Sequence, residues 1–334
     1  METDEPTTTA ALRSGDRHLV ERVQRLCALA GLDLTVVAPG GEPPPRGVLL
    51  DDLTEATGRP WHELGRSVID LGAPGLRLPE DAETVLTRLV AQAAPRRARL
   101  VGVVGASGGL GASALAAALA RVAVVAGRTC TLVDLDPAGG GLDVLLGIEH
   151  DPGPRWADVR GEHGGFPPDR LMSALPQWHG VRVLSGDVRG GAGGPGGAQA
   201  VDLDAVAALT RAADVIVLDL PRSVLARPDD HDQLTWCADV VLLAGCTTRA
   251  AAAAAAALPV LTGHTVHLVV RGPGAGALRP ADVADTCGLP LAAVLRPERA
   301  FAAGLERGLS PGDQSRGPLL ATARRLARTL ELAR

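Results

Sequence analysis

Gly105-Ala106-Ser107-Gly108-Gly109-Leu110-Gly111-Ala112-Ser113 is the stretch that decides how this chain is read. It follows the apolar run Leu100 to Val104 and precedes the alanine-rich segment Ala114 to Ala126, so the order is strand, glycine-rich turn, helix. Glycines at this spacing let backbone N–H groups close around phosphate oxygens, and Ser113 offers a hydroxyl of the kind that holds Mg²⁺. The residue before Ser113, where a lysine would reach the β- and γ-phosphates, is Ala112. The same hydroxyl could instead cap the helix.

All 33 Lys+Arg residues are arginine; lysine, asparagine and tyrosine are absent, and phenylalanine occurs twice, the pattern of a GC-rich coding sequence. Drift of that kind replaces lysine with arginine. An alanine at position 112 is therefore read as a real change in the site.

Downstream, short apolar runs alternate with helical segments, with strands expected near 100–105, 131–135, 181–184, 215–220, 240–244, 266–270 and 291–295. That alternation predicts an α/β fold with a doubly wound, mostly parallel sheet. Arg189 to Ala198 reads as a low-complexity loop and Ala250 to Ala257 as a helix. Two further segments converge on the turn. One is Leu132-Val133-Asp134-Leu135-Asp136-Pro137, leading into Gly139-Gly140-Gly141; the other is Val215-Ile216-Val217-Leu218-Asp219, followed by Leu220-Pro221. Carboxylates at the ends of adjoining strands suit a cation held partly through water.

These residues resemble the MinD/ParA superfamily of deviant Walker ATPases, within it the CpaE-like and septum site-determining proteins, over residues 100–334. The family loop reads K-G-G-x-G-K-[ST]. The resemblance sets Ser107 at its intermolecular lysine, Gly108, Gly109 and Gly111 at its glycines, Ala112 at its P-loop lysine and Ser113 at its Mg²⁺ hydroxyl. It implies a nucleotide-binding turn spanning Gly105, Ser107, Gly108, Gly109, Leu110, Gly111, Ala112 and Ser113. It also implies a water-orienting role for Asp136, and Mg²⁺ contacts from Ser113, Asp134 and Asp219. Both lysines are missing. A hydrogen bond to a charged group contributes about 1.5–3 kcal/mol, so weaker ATP/Mg²⁺ binding, by about ten- to a hundredfold, is expected. One missing donor can lower phosphoryl-transfer rates by about 10²–10³-fold, so ATP hydrolysis should be weak or absent and no cofactor is required. Arg222 and Arg249, each just beyond a strand end, are the candidate substitutes for phosphate contact.

Residues 1–93 read as a separate, smaller α/β domain. A helix is expected over Arg17 to Ala30, strands over 34–38, 48–51 and 67–70, and a closing helix from about Asp81 to Gln92. The strand ending in Asp51 resembles the one that presents the phosphoacceptor of response-regulator receiver domains, although no first strand with an acidic pair is recognisable. A strand-end or turn role is the expectation for Asp51. Residues 94–99 are basic and proline-interrupted and read as the linker, before a MinD/ParA-like domain over 100–334.

The net charge of −5 offers no general attraction for a polyanion, so nucleic acid is not an expected partner. Five widely spaced cysteines without a CxxC pair fit reduced thiols in the cytoplasm, and the eight histidines show no metal-ligand spacing. The acidic start, Met1 to Glu5, lacks the apolar segment of a secretory signal. Residues 318–334 are amphipathic, with Leu319, Leu320, Ala323, Leu326, Ala327 and Leu330 on one face. MinD-type proteins use such a helix at membranes; packing on the sheet is the expectation here, since no Trp or Phe anchors it. The resemblance implies a regulatory or positioning protein acting in septum-site determination or in localising a Tad/Flp-type secretion or pilus system. Its partners would be proteins of those machines, and a homodimer would lack the contact of the signature lysine. The alternatives are a slow ATPase using a recruited arginine and a structural paralogue that binds no nucleotide.

Overall fold

The computed structural model describes residues 9–44, 47–54, 61, 68–73, 75–93, 98–136, 141–159, 167–192, 203–226, 232–274, 278–298, 301–314 and 316–333. The linker residues 94–97, the glycine run 137–140 and the loop from 193 to 202 lie outside them. The chain divides into two compact units, residues 1–97 with 161–171 and 202–212, and the remainder.

The N-terminal unit runs β1 (Thr9–Arg13), α1 (Arg17–Leu29), β2 (Asp33–Val37), β3 (Val48–Asp52), β4 (Val68–Leu71) and α2 (Ala82–Ala93). Its sheet has the order β2-β1-β3-β4, with every pair parallel. A first strand therefore exists, at the heart of this sheet, where none was recognisable in the sequence. Thr-Ala-Ala-Leu-Arg has little strand propensity of its own, and pairing on both sides makes it a strand. Side-chain alternation then sorts the unit into two faces. Ala10, Leu12, Val48 and Leu50 join Val23 and Cys27 of α1 and Val85 and Leu89 of α2, while Ala11 and Leu49 pack with Trp61 on the opposite face. α1 starts where Asp16 accepts the N–H of His18 at 2.8 Å.

The rest of the chain carries β5 (Arg99–Gly105), α3 (Ala112–Val125), β6 (Cys130–Asp134), α4 (Leu142–Leu146), α5 (Trp156–Val159), α6 (Pro168–Ala174), β7 (Gln177–Trp178) and β8 (Val181–Leu184). It continues with α7 (Leu203–Ala212), β9 (Val215–Asp219), a 3₁₀ turn over Arg222–Leu225, α8 (Asp232–Thr235), β10 (Asp239–Gly245), α9 (Thr248–Ala257), β11 (Thr265–Arg271), α10 (Pro280–Cys287), β12 (Leu291–Leu295), α11 (Phe301–Leu305) and α12 (Pro318–Thr329). α7 groups with the N-terminal unit although it lies between strands of the larger sheet. The eight-stranded order is β12-β11-β10-β5-β9-β6-β8-β7, parallel throughout except for the short edge strand β7.

β5 lies in the middle, flanked by β10 and β9, both of which come much later in the chain. Its carboxyl end is the place where chain connections diverge to either side, the usual position of a ligand crevice in such sheets. α3 is buried from Ala114 to Ala120, which its alanines permit by letting the helix sit close to the strands and to α12. The apolar face of α12, with Leu319, Leu320, Ala323, Leu326 and Ala327, belongs to the same core. Among the described residues, no helix is long and apolar enough to cross a membrane.

Candidate functional site

β5 ends at Gly105 and α3 begins at Ala112, so the quoted stretch forms the turn between them. Ala106 N–H donates to Leu243 O of β10 at 2.9 Å, which fixes where the chain leaves the sheet. Gly109 and Gly111 adopt φ values of +75° and +86°, the left-handed region that favours glycine. Gly111, not Ser113, is the N-cap of α3, and no side chain caps it. The first helical bond runs from Leu115 N–H to Gly111 O at 3.0 Å. Among the described residues, no protein acceptor meets the N–H groups of Ser107 through Ala114. A run of unmet donors at a helix N-terminus is the elementary form of an anion cradle.

Two aspartates face each other where β6 and β9 end, Asp134 paired with Asp219 in register. Asp219 is buried, and its pKa is pushed up to about 8, first by desolvation and then by repulsion from Asp134; the Ser113 hydroxyl bonds to it and partly opposes this. Asp134 is pushed up to about 6, again chiefly by burial. Its oxygens accept Asp136 N–H at 3.0 Å, Leu142 N–H at 3.1 Å and the Ser185 hydroxyl at 3.2 Å. Asp136 is half-buried and adds repulsion to both neighbours. Ser113, Asp134, Asp136 and Asp219 are thus gathered at one edge of the sheet.

Ser185 and Trp156 were not anticipated. Ser185 follows β8 at the same sheet edge and links Asp134 to the N–H of Leu142 at 2.7 Å, a position that strand counting could have found. Trp156, fully buried, donates its indole N–H to Asp134 O at 2.6 Å and holds that backbone in place. Its sequence context carries no signal for this.

Arg222 lies on the 3₁₀ turn and Arg249 in the first turn of α9; both are exposed, and neither hydrogen-bonds to the loop. The guanidinium that does reach the loop belongs to Arg271, the last residue of β11, whose Nη1 donates to Leu110 O at 2.9 Å and Gly109 O at 3.3 Å. Arg271 was not among the arginines that the sequence singled out for phosphate contact.

In the N-terminal unit, Asp51 at the end of β3 is fully buried. Arg13 of β1 grips it with both arms of its fork, Nε to Oδ1 at 2.7 Å and Nη2 to Oδ2 at 2.5 Å, and Trp61 N–H adds a third bond at 2.9 Å. The Arg13 guanidinium also lies 5.0 Å from the Trp61 ring centre. Asp51 is therefore a structural carboxylate with an internal counter-ion.

No protein-family profile matches the chain. Among curated proteins it is similar to uncharacterized protein Rv3660c of Mycobacterium tuberculosis strain H37Rv and uncharacterized protein MT3760 of strain CDC 1551. Each is 40% identical over 265 residues, covering 76% of this chain and 71% of the relative. Among solved structures, the MinC:MinD cell division protein complex of Aquifex aeolicus matches with a TM-score of 0.57 at 16% identity, covering 70% of this chain and 96% of that one. The ParA family ATPase of Chlorobium tepidum gives 0.55 at 17%, covering 69% and 98%. The septum site-determining protein MinD of Pyrococcus horikoshii, solved with Mg-ADP, gives 0.53 at 18%, covering 70% and 96%. These likenesses establish the α/β fold with its mostly parallel central sheet as that of MinD and ParA ATPases.

Proposed function

The chain belongs to the family of the Mycobacterium tuberculosis protein Rv3660c, and on that premise we propose that it is a regulatory or positioning protein of CpaE-like type with weak or no ATP hydrolysis. It acts through protein contacts, in septum-site determination or in localising a Tad/Flp-type secretion or pilus system. The observation that carries this reading is the run of unmet N–H donors from Ser107 to Ala114, set on a MinD/ParA fold that lacks lysine altogether. The cradle for a polyphosphate is intact while the cations that drive its cleavage are gone.

The residues present fit a Mg²⁺-nucleotide. Added Cβ atoms at Gly108 and Gly109 would meet nothing within 4 Å, so the turn opens onto space, and the raised pKa values of Asp134 and Asp219 mark a place where positive charge is wanted. Mg²⁺ commonly keeps several waters and uses one or two carboxylates besides phosphate oxygens. Ser113 and Asp219 would hold it, with Asp134 behind them. A bound Mg²⁺-nucleotide would supply the phosphates that the amides lack and the charge that the carboxylates lack.

The parallel order β2-β1-β3-β4 supports a receiver-like N-terminal module, since doubly wound folds of that class share it. Asp51, sealed by Arg13, makes it a module that signals by its surface and not by phosphorylation. The test is calorimetric titration of the full chain with Mg²⁺-ATP and Mg²⁺-ADP alongside turnover. We expect measurable but weak binding, and turnover at background that Asp136→Ala leaves unchanged. Brisk Mg²⁺-dependent hydrolysis, lost in Asp136→Ala, would replace this reading with a working ATPase switch; no heat at millimolar nucleotide would replace it with a structural paralogue.

A further inference from the structure

If the turn between β5 and α3 receives the phosphates of a nucleotide, as the preceding reading holds, the structure also shows what orients its donors. Arg271 closes β11, two strands away from β5, and reaches across to the carbonyls of Gly109 and Leu110. A trans peptide is planar, with its C=O and N–H pointing to opposite sides. Holding the carbonyls of Gly109 and Leu110 therefore turns the N–H groups of Leu110 and Gly111 the other way, and no protein acceptor among the described residues takes either of them. The Leu110 side chain is held separately, packed against the core of the larger sheet.

The guanidinium also lies beside the start of α3. Its Nη1 is 3.0 Å from the place a Cβ on Gly111 would occupy, and Gly111 is the N-cap of α3, where the helix dipole already favours negative charge. Among the described residues, no carboxylate is paired with Arg271, whereas Arg13, Arg99, Arg121, Arg155, Arg189 and Arg279 each hold one. Its charge is left for something else.

We propose that Arg271 is the positioning residue for polyphosphate in this chain, compensating from a different strand for the lysine absent at Ala112. It aims the loop amides through the Gly109 and Leu110 carbonyls and contributes positive charge at the helix start. The benefit grows with the negative charge of the ligand, so it is largest for ATP, smaller for ADP and smallest for AMP.

The test is titration of the full-length wild type, Arg271→Gln and Arg271→Lys with ATP, ADP and AMP in Mg²⁺, with folding checked by circular dichroism. Arg271→Gln should weaken ATP about ten- to a hundredfold, ADP less and AMP about twofold or less. Arg271→Lys keeps the charge and should retain the preference for ATP over AMP with only a several-fold loss. An Arg271→Gln protein that binds ATP like wild type, or loses all three nucleotides to the same degree, overturns the assignment and leaves the phosphate loop standing. If Arg271→Gln fails to fold, a lysine variant without any preference for ATP over AMP overturns it equally. A wild type that binds none of the three nucleotides removes the loop reading and this assignment together.

Discussion

Two carboxylates end parallel strands in this molecule, Asp51 in the N-terminal sheet and Asp219 in the larger one, and the chain treats them in opposite ways. Asp51 is fully buried with a guanidinium on both oxygens and a backbone N–H besides. Asp219 is nearly as buried, has a second carboxylate for a neighbour, and has the Ser113 hydroxyl as the hydrogen bond that lowers its pKa. The first is completed from within the fold. The second is an arrangement that a cation from outside would complete. The same strand-end position thus serves as a structural tie in one sheet and, on the function proposed above, as half of a cation site in the other.

Removing the internal counter-ion is the strongest way to break this contrast. Arg13→Ala leaves a buried charge without its counter-ion, and such losses cost about 3–5 kcal/mol. Denaturant unfolding should show that loss in the N-terminal transition, while Arg13→Met with Asp51→Leu, which replaces the pair by apolar groups, should recover most of it. A small effect from Arg13→Ala would mean that Asp51 is not the buried charge described. The second carboxylate gives a pH signature instead. An unfolded aspartate loses its proton near about pH 4, whereas folded Asp219 keeps it to about 8. Between those values the folded chain binds more protons than the unfolded one, so stability falls as pH rises through that window. In EDTA the melting temperature of the wild type should drop from pH 5 to pH 9, and Asp219→Asn should flatten the slope. An unchanged slope would show that the strain resides elsewhere.

Much of the larger sheet was legible in the sequence because its strands are fully buried and read as unbroken apolar runs, as in Val215 to Leu218 and Val240 to Ala244. The loop and its aspartates were legible because glycines and strand-end carboxylates have few other reasons to recur in that order. β1 was not, since its alanines carry no strand signal and only its neighbours on both sides define it. Arg271 and Ser185 were missed for a related reason. Their roles depend on which strands the sheet order places beside β5 and β6, and that order is not written in local pattern. Arg13 and Asp51 are 38 residues apart and met only when β1 paired with β3.

Restoring the absent cation should sharpen the contrast by giving the second site what the first already has. Ala112→Lys places an ammonium at the helix start, and ATP affinity should rise about ten- to a hundredfold, the converse of the loss inferred for its absence. No gain on titration would mean that the turn does not hold phosphate in the orientation described.

The smallest effect tests the backbone alone. Gly108 and Gly109 both face open space, so an added methyl touches nothing at either position. They differ in that Gly109 has φ of +75° and Gly108 does not lie in the left-handed region. An L-residue held there costs about 1–2 kcal/mol. Gly109→Ala should therefore lower stability by about 1 kcal/mol or relax the turn and weaken ATP binding, whereas Gly108→Ala should do neither, because reduced freedom of the unfolded chain offsets what little is lost. Equal behaviour of the two variants in thermal melts and titrations would show that the turn is not held in the left-handed geometry that exposes its amides. In that case the difference between the two sheets would rest on side chains alone.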